Sequence, residues 1–198
     1  NSKSKIKITH FNSLDKIDLT NIDIFIDSSG KKEDINLLKQ LPVSAIFLTH
    51  PNKNADINVI LGANEEKLNP SIHKIISTSS CNATALLPAL KLINENKEIL
   101  CGDIVTIHPL LNHQRVLDGS FVGSATRDVE CNFEFGRSST QNIIPNKTTT
   151  ITACSYVLEK FNKELISSNS LRVPTDTVGA INVTLFTKQS STKNEIIE

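Results

Sequence analysis

The sequence predicts an α/β unit with a mostly parallel, doubly wound sheet over residues 1–80, followed by an α+β unit with a mostly antiparallel sheet over residues 81–198. Three observations lead there. Up to Ser80, short apolar runs alternate with short helical patterns, the texture of strand–helix–strand units that feed a parallel sheet. From Cys81 the texture changes to one long helical pattern and then a long apolar strand. At 198 residues, the chain has room for one large domain or two small ones with a real core.

The elements follow in order. "KIKITHF" (Lys5–Phe11) alternates apolar and polar residues and reads as a strand. "IDIFIDSSG" (Ile22–Gly30) is a strand ending in a Ser-Ser-Gly turn, "KEDINLLKQL" a short helix, and "VSAIFLTHP" (Val43–Pro51) a buried strand stopped by proline. "INVILGA" and "KIISTSS" add two further strands. A helix over about Asn82–Asn96 leads to "CGDIVTIHPLL", a strand ending at His108. Asp118–Thr140 is irregular and rich in Gly, Ser and Asp; "TTTITACSYVLEKFNKEL" is helical by its apolar spacing, and "LRVPTDTVGAINVTLFTKQ" is strand material.

Composition narrows the function classes. The 21 basic and 21 acidic side chains cancel, which argues against nucleic acid or an anionic membrane as a partner. No apolar run approaches the ~20 residues of a membrane span, and none has the form of a signal-peptide core. The four cysteines, Cys81, Cys101, Cys131 and Cys154, lack C-x-x-C spacing. Neither a zinc site nor a disulfide framework is expected, and the expected compartment is a reducing cytoplasm.

One cysteine is placed for chemistry. In "STSSCNATALLPALKLI", Cys81 stands at the mouth of a helical pattern, with Ser79 or Ser80 as the natural cap. A thiol at a helix N-terminus meets free N–H groups and the positive dipole end, which favour thiolate. Thiolates attack aldehydes but need a base and an oxyanion donor. His108, at the end of an apolar strand, is the candidate base. Each residue also has an ordinary structural reading, a small core thiol and a satisfied histidine. Cys101 and Cys154 sit in apolar patterns and read as core; His10, His50 and His73 read as surface or loop residues.

Four ordered motifs carry a resemblance. "SSCNATALLPALKLI", "GDIVTIHPLLNHQRVLDG", "GRSSTQNIIPNKTT" and "LRVPTDTV" are similar to the S-C-T-T-N-C, T-x-H, G-R-x-x-x-Q-N-I-I-P and R-V-P-T segments of the phosphorylating glyceraldehyde-3-phosphate dehydrogenase family, and the Cys81–His108 spacing also matches. The likeness runs from about Ile22 to Thr187. It implies the C-terminal half of a Rossmann-like nucleotide-binding domain, then a dehydrogenase catalytic domain. It further implies NAD as cofactor, a sugar-phosphate aldehyde and inorganic phosphate as substrates, and a homo-oligomer, a tetramer in the family. Residue by residue, Cys81 matches the nucleophile that forms the thiohemiacetal and His108 the base that takes the thiol proton. Ser80, Asn82, Thr148 and Arg172 match phosphate and substrate positions. Ser28, Ser29, Gly30 and Thr49 match strand-end positions near the cofactor.

The departures are also specific. The Thr after the family's cysteine is Asn82, whose amide can donate to phosphate. A phosphate-binding Thr three residues after the histidine is Leu111, and His113 stands at a further Thr. A large apolar residue there is shared with the erythrose-4-phosphate dehydrogenase branch, the nearest alternative. The arginine beside the attacking phosphate does not align, and Arg127 is the candidate in its place. The chain contains no G-x-G-x-x-G loop, so it is expected to be the middle of a longer dehydrogenase, inactive on its own. The rival expectation is a degenerate dehydrogenase-like protein serving in binding or assembly.

Overall fold

The computed structural model describes residues 6–11, 13–29, 34–112, 114–119 and 133–197. The first sheet is built from β1 (Ile24–Asp27), β2 (Ala45–Leu48), β3 (Ile57–Asn58) and β4 (Ile75–Ser77), in the order β1-β2-β4-β3 with every pairing parallel. Its strands are the Ile- and Phe-rich runs of the sequence, as a sheet packed on its face requires. Leu38 of helix α1 (Ile35–Lys39) closes a small core with Ile46, Leu48 and Ile75. Asp34 caps that helix, its carboxylate accepting the Asn36 N–H at 2.9 Å.

The second sheet is mixed. It contains β5 (Ile99–His108), β6 (Ile144–Asn146), β7 (Ile166–Arg172) and β8 (Ala180–Thr187) in the order β6-β7-β5-β8. The β5–β8 and β6–β7 pairings are antiparallel, whereas the central β5–β7 pairing is parallel, with His108 opposite Arg172. Helices α2 (Cys81–Lys97) and α4 (Thr150–Val157) pack together over one face. Leu87, Leu90, Ile104, Ile151, Cys154 and Ile166 form the center of the main core there. Two short α-helices, α3 (Phe133–Gly136) and α5 (Lys193–Ile197), and two 3-10 turns at Leu14–Lys16 and Glu65–Lys67 complete the described elements. No helix among the described residues is long and apolar enough to cross a membrane.

The α/β-then-α+β fold class holds, but several element readings need correction. Residues 6–11 form no strand, and Ile6 and Ile8 are 87% and 81% exposed, with no strand among the described residues paired to them. "INVILGA" contributes only the two residues of β3 because its end turns at Gly62, whose φ of +82° suits glycine. Helix α4 stops at Val157 rather than running to Leu165. Phe161 folds back into the core, and the Asn162 side chain accepts the N–H groups of Glu164 and Leu165 at 2.9 and 3.3 Å, turning the chain into β7. Cys101 is exposed, not core. A register shift between Ile99 and Cys101 breaks the alternation of β5 and leaves Leu100 and Cys101 both outside. Gly30, His113, Arg127 and Cys131 lie outside the described residues.

Candidate active site

Strand alternation fixes which side chains can meet. In β5, Ile104 and Thr106 are buried toward the helices, and a period of two places His108 on the same face at the strand's end. Parallel register sets Arg172 beside it. Helices α2 and α4 both begin over that end, so their first residues reach the histidine. The Asn82 amide nitrogen lies 3.0 Å from His108 Nε2 and 3.4 Å from Thr150 Oγ1. Thr150 Oγ1 in turn lies 2.8 Å from Thr148 Oγ1, which also accepts the Thr150 N–H at 3.2 Å.

The turn into α2 is strained, and it presents the cysteine. Ser79 holds φ = 63° in the left-handed region, which an L-serine adopts at some cost. Its N–H donates to Ser77 Oγ at 3.1 Å, and Ser77 Oγ donates to the His50 carbonyl at 2.9 Å. Ser80 is the N-cap, its hydroxyl accepting the Ala83 N–H at 3.4 Å. Cys81 follows as the first helical residue, exposed, and its sulfur has no hydrogen bond among the described residues. The strand-to-helix turn therefore leaves the thiol open while the next side chain reaches the imidazole.

Burial, then the neighbouring Arg172 guanidinium, lower the pKa of His108 from its ordinary 6.5. The ring is neutral at neutral pH and can accept a proton. Arg172 is itself held below its usual value by burial, with Glu134 acting in the opposite sense. It donates one bond to the Pro109 carbonyl at 2.5 Å, and its Nε is buried without a partner. A buried, unpaired guanidinium N–H is costly unless something accepts from it. An oxyanion fits that need.

A second cluster lies at the C-terminal edge of the first sheet, where ligands of open α/β sheets bind. Ser28, Ser29 and Thr49 are exposed there. The Ser29 N–H donates to Asp27 Oδ1 at 2.9 Å, and the Thr49 hydroxyl donates to the Asp27 carbonyl at 3.3 Å. Asp27 Oδ2 is buried without a partner. Hydroxyls beside an orphaned acceptor suit a ligand rich in amide and ribose donors, so these residues fit a nicotinamide dinucleotide. Thr78 bonds the Leu48 carbonyl through both N–H and hydroxyl, at 2.9 and 3.1 Å, and so joins this edge to the segment that carries Cys81.

Residues 80–198 match the family model described as glyceraldehyde 3-phosphate dehydrogenase, C-terminal domain. The chain belongs to the glyceraldehyde-3-phosphate dehydrogenase family. Glyceraldehyde-3-phosphate dehydrogenase 2 of Streptomyces avermitilis is 32% identical over 179 residues, covering 89% of this chain and 50% of that protein. A glyceraldehyde-3-phosphate dehydrogenase-like protein of Pseudomonas aeruginosa is 31% identical over 201 residues, covering 98% of this chain and 41% of its own length. Glyceraldehyde-3-phosphate dehydrogenase 4 of Caenorhabditis elegans is 30% identical over 201 residues, with 98% and 56% covered. The chain spans about half the length of the curated relatives it matches.

Within this glyceraldehyde-3-phosphate dehydrogenase frame, the structure joins His108, Asn82, Thr150 and Thr148 in one hydrogen-bonded line with Arg172 alongside. It leaves Ser28, Ser29 and Thr49 in the separate strand-end cluster. The Asn82 amide, expected to offer a donor to phosphate, reaches the imidazole of His108. Leu111 contributes only backbone groups, its N–H donating to Gln114 Oε1 at 2.7 Å and its carbonyl accepting the Gln114 N–H at 3.1 Å. Thr150 and Asp27 were not singled out in the sequence, and Ser79, offered there as an alternative cap, is instead the strained residue before the Ser80 cap. The hydroxyl run "KTTT" was the available signal for Thr150; nothing local marked Asp27.

Proposed function

We propose that this chain carries the catalytic thiol, base and anion site of a phosphorylating aldehyde dehydrogenase acting on a sugar-phosphate aldehyde, glyceraldehyde 3-phosphate above all. The reading treats residues 1–80 as half of a nucleotide-binding domain and 81–198 as the catalytic domain. The observation that supports it most is the approach of the helix start to the imidazole, Asn82 to His108 at 3.0 Å, with Cys81 one residue away. Cys81 Sγ adds to the aldehyde carbon, and its proton passes to His108 Nε2. The resulting tetrahedral oxyanion faces the first N–H groups of α2, those of Cys81 and Asn82, which have no helical partners. Ser28, Ser29 and Thr49 would hold NAD, with Asp27 Oδ2 accepting from it. When bound, that cofactor supplies the hydride acceptor. Thr148, Thr150 and Arg172 hold phosphate oxygens, the guanidinium through its unpaired Nε–H. Partial burial of His108, with the neighbouring Arg172, favours its neutral ring.

Limited alkylation with iodoacetamide near neutral pH, read by peptide mapping, tests the nucleophile. Cys81 is expected to label first, Cys101 more slowly despite its exposure, and Cys154 not at all in the folded protein. Preferential labelling of Cys101 or Cys131 would remove Cys81 from the role.

The anion site has its own test. In Arg172→Ala, phosphate affinity measured by calorimetric titration is expected to fall about tenfold to a hundredfold, the size of a lost charge-assisted bond. Arg172→Lys is expected to recover little of it, because an ammonium does not reproduce the planar donor set. Unchanged affinity in Arg172→Ala would move the site elsewhere.

A further inference from the structure

The contact between Asn82 and His108 has a chemical direction. A primary amide nitrogen has two N–H donors and no acceptor lone pair. At 3.0 Å from Asn82 Nδ2, His108 Nε2 can bond the amide only as an acceptor, which is the arrangement of a ring carrying its proton on Nδ1. The charged and titratable groups around the ring agree with a neutral imidazole. Arg172 faces it from β7 and repels a cation. Glu134, from α3, acts on Arg172. Cys81 stands at the start of α2, and α4 brings only the neutral hydroxyl of Thr150. The second amide N–H points to Thr150 Oγ1 at 3.4 Å, and that oxygen is fixed by Thr148. The amide nitrogen thus uses both of its hydrogens, between a helix start and a strand end.

We propose that Asn82 is a positioning residue that fixes His108 in its Nδ1–H tautomer and occupies the Nε2 lone pair, making the amide a competitor of Cys81 for the base. The inference rests on reading Cys81 and His108 as a thiol–base pair. The proton that leaves Cys81 Sγ needs the same lone pair that Asn82 holds, and both cannot have it at once. A threonine at this position, as in the family's motif, has a shorter side chain and no amide to offer. The nucleophile of this chain is therefore attenuated by its own neighbour. The attenuation is about fivefold, the weight of one ordinary hydrogen bond.

The test uses the 198-residue chain and its Asn82→Ala and Asn82→Thr variants, with Asn82 half-buried at the second helical position so that neither removes core packing. Side-chain 15N spectra of His108 report the tautomer directly. The parent is expected to show a pyridine-like Nε2 and a pyrrole-like Nδ1, and both variants a shift toward the mixed tautomers of a free imidazole. Loss of a donor to the neutral ring also raises its pKa toward the ordinary value. Cys81 alkylation at a fixed pH above that titration is expected to accelerate about fivefold in both variants, and not at all when His108→Asn is added. A pyrrole-like Nε2 in the parent would overturn the proposal, as would spectra indifferent to Asn82. A slower rate in the variants, or acceleration that survives without His108, would do the same. If the ring spectrum responds to Asn82 while His108→Asn alone leaves the Cys81 rate unchanged, the tautomer assignment stands and the thiol–base reading of the site fails.

Discussion

In His108→Asn, alkylation of Cys81 near neutral pH is expected to fall by about a hundredfold or more while the chain stays folded. General-base contributions of a positioned imidazole span roughly 10²–10⁴-fold, and Asn keeps much of the ring's volume at the end of β5 without its basic nitrogen. The pH dependence carries a second signature. Burial, then Arg172, hold the folded ring's pKa below 6.5, so the base form persists to lower pH than in an ordinary histidine. The same shift links to stability. As pH falls below 6.5, the unfolded chain takes up a proton on this ring before the folded chain does. The contribution is present above that pH and is lost as pH falls through the lowered pKa. The Asn variant should lose this component of acid sensitivity. A pH–alkylation profile that overlays the parent's would leave His108 as a packed residue and nothing more.

How much of this was legible before the structure depends on whether the signal is local. The parallel sheet announced itself because strands buried on a face are continuous apolar runs, as in "AIFL" of β2. Helix α2 was visible from its serine cap and apolar spacing, and its observed span differs from the expected one by a residue at each end. The central partner of β5 was not visible. Strand β7 reads "ISSNSLR" and has no apolar alternation, since Ser168 and Ser170 share the inward face with Ile166 while Ser167 is exposed. Burial of Ser170 at 4% exposure shows how a polar residue can line a core-facing row, and a propensity reading gives such a segment to a loop. The opening "KIKITHF" failed in the opposite way, since alternation without a partner strand is only a pattern.

The site divides along the same line. Cys81 and His108 were named from the order and spacing of motifs, and the geometry brings their elements together. The hydrogen bonds among Asn82, His108, Thr150 and Thr148 required α2, α4 and β5 to converge, and no window of sequence contains that. Asn82 shows the limit well. Its chemistry, an amide beside the thiol, was evident, but its target was a residue on another element. From sequence, a substitution at one helix position reads as a change in anion binding, and only the fold shows that it also meets the base.

The helix that presents Cys81 is held by a single buried row, so Leu87→Ala is expected to cost about 2–5 kcal/mol of stability. Leu87 is fully buried among Leu90, Ile104, Ile151 and Ile166, and removing its branched end leaves a cavity that a helix packed against both α4 and the sheet cannot easily close. Urea unfolding should show an earlier midpoint with an unchanged slope. Cys154 offers an independent reading of the same loss. Burial pushes its thiol up to about 12, and with no exposed surface it reacts only through opening of the core. Where opening and closing are fast relative to labelling, its rate follows the equilibrium population of the open state. That rate should therefore rise about thirtyfold or more in Leu87→Ala. Cys81 is exposed in the folded state and reacts without opening, so its rate should hardly change. A loss of stability below about 1 kcal/mol, well under the range for a buried leucine, would mean that the α2 row repacks and does not anchor the helix. Equal acceleration of both thiols would mean that the helix start moves with the core, and that Cys81 is presented by a looser element than the Ser80-capped turn.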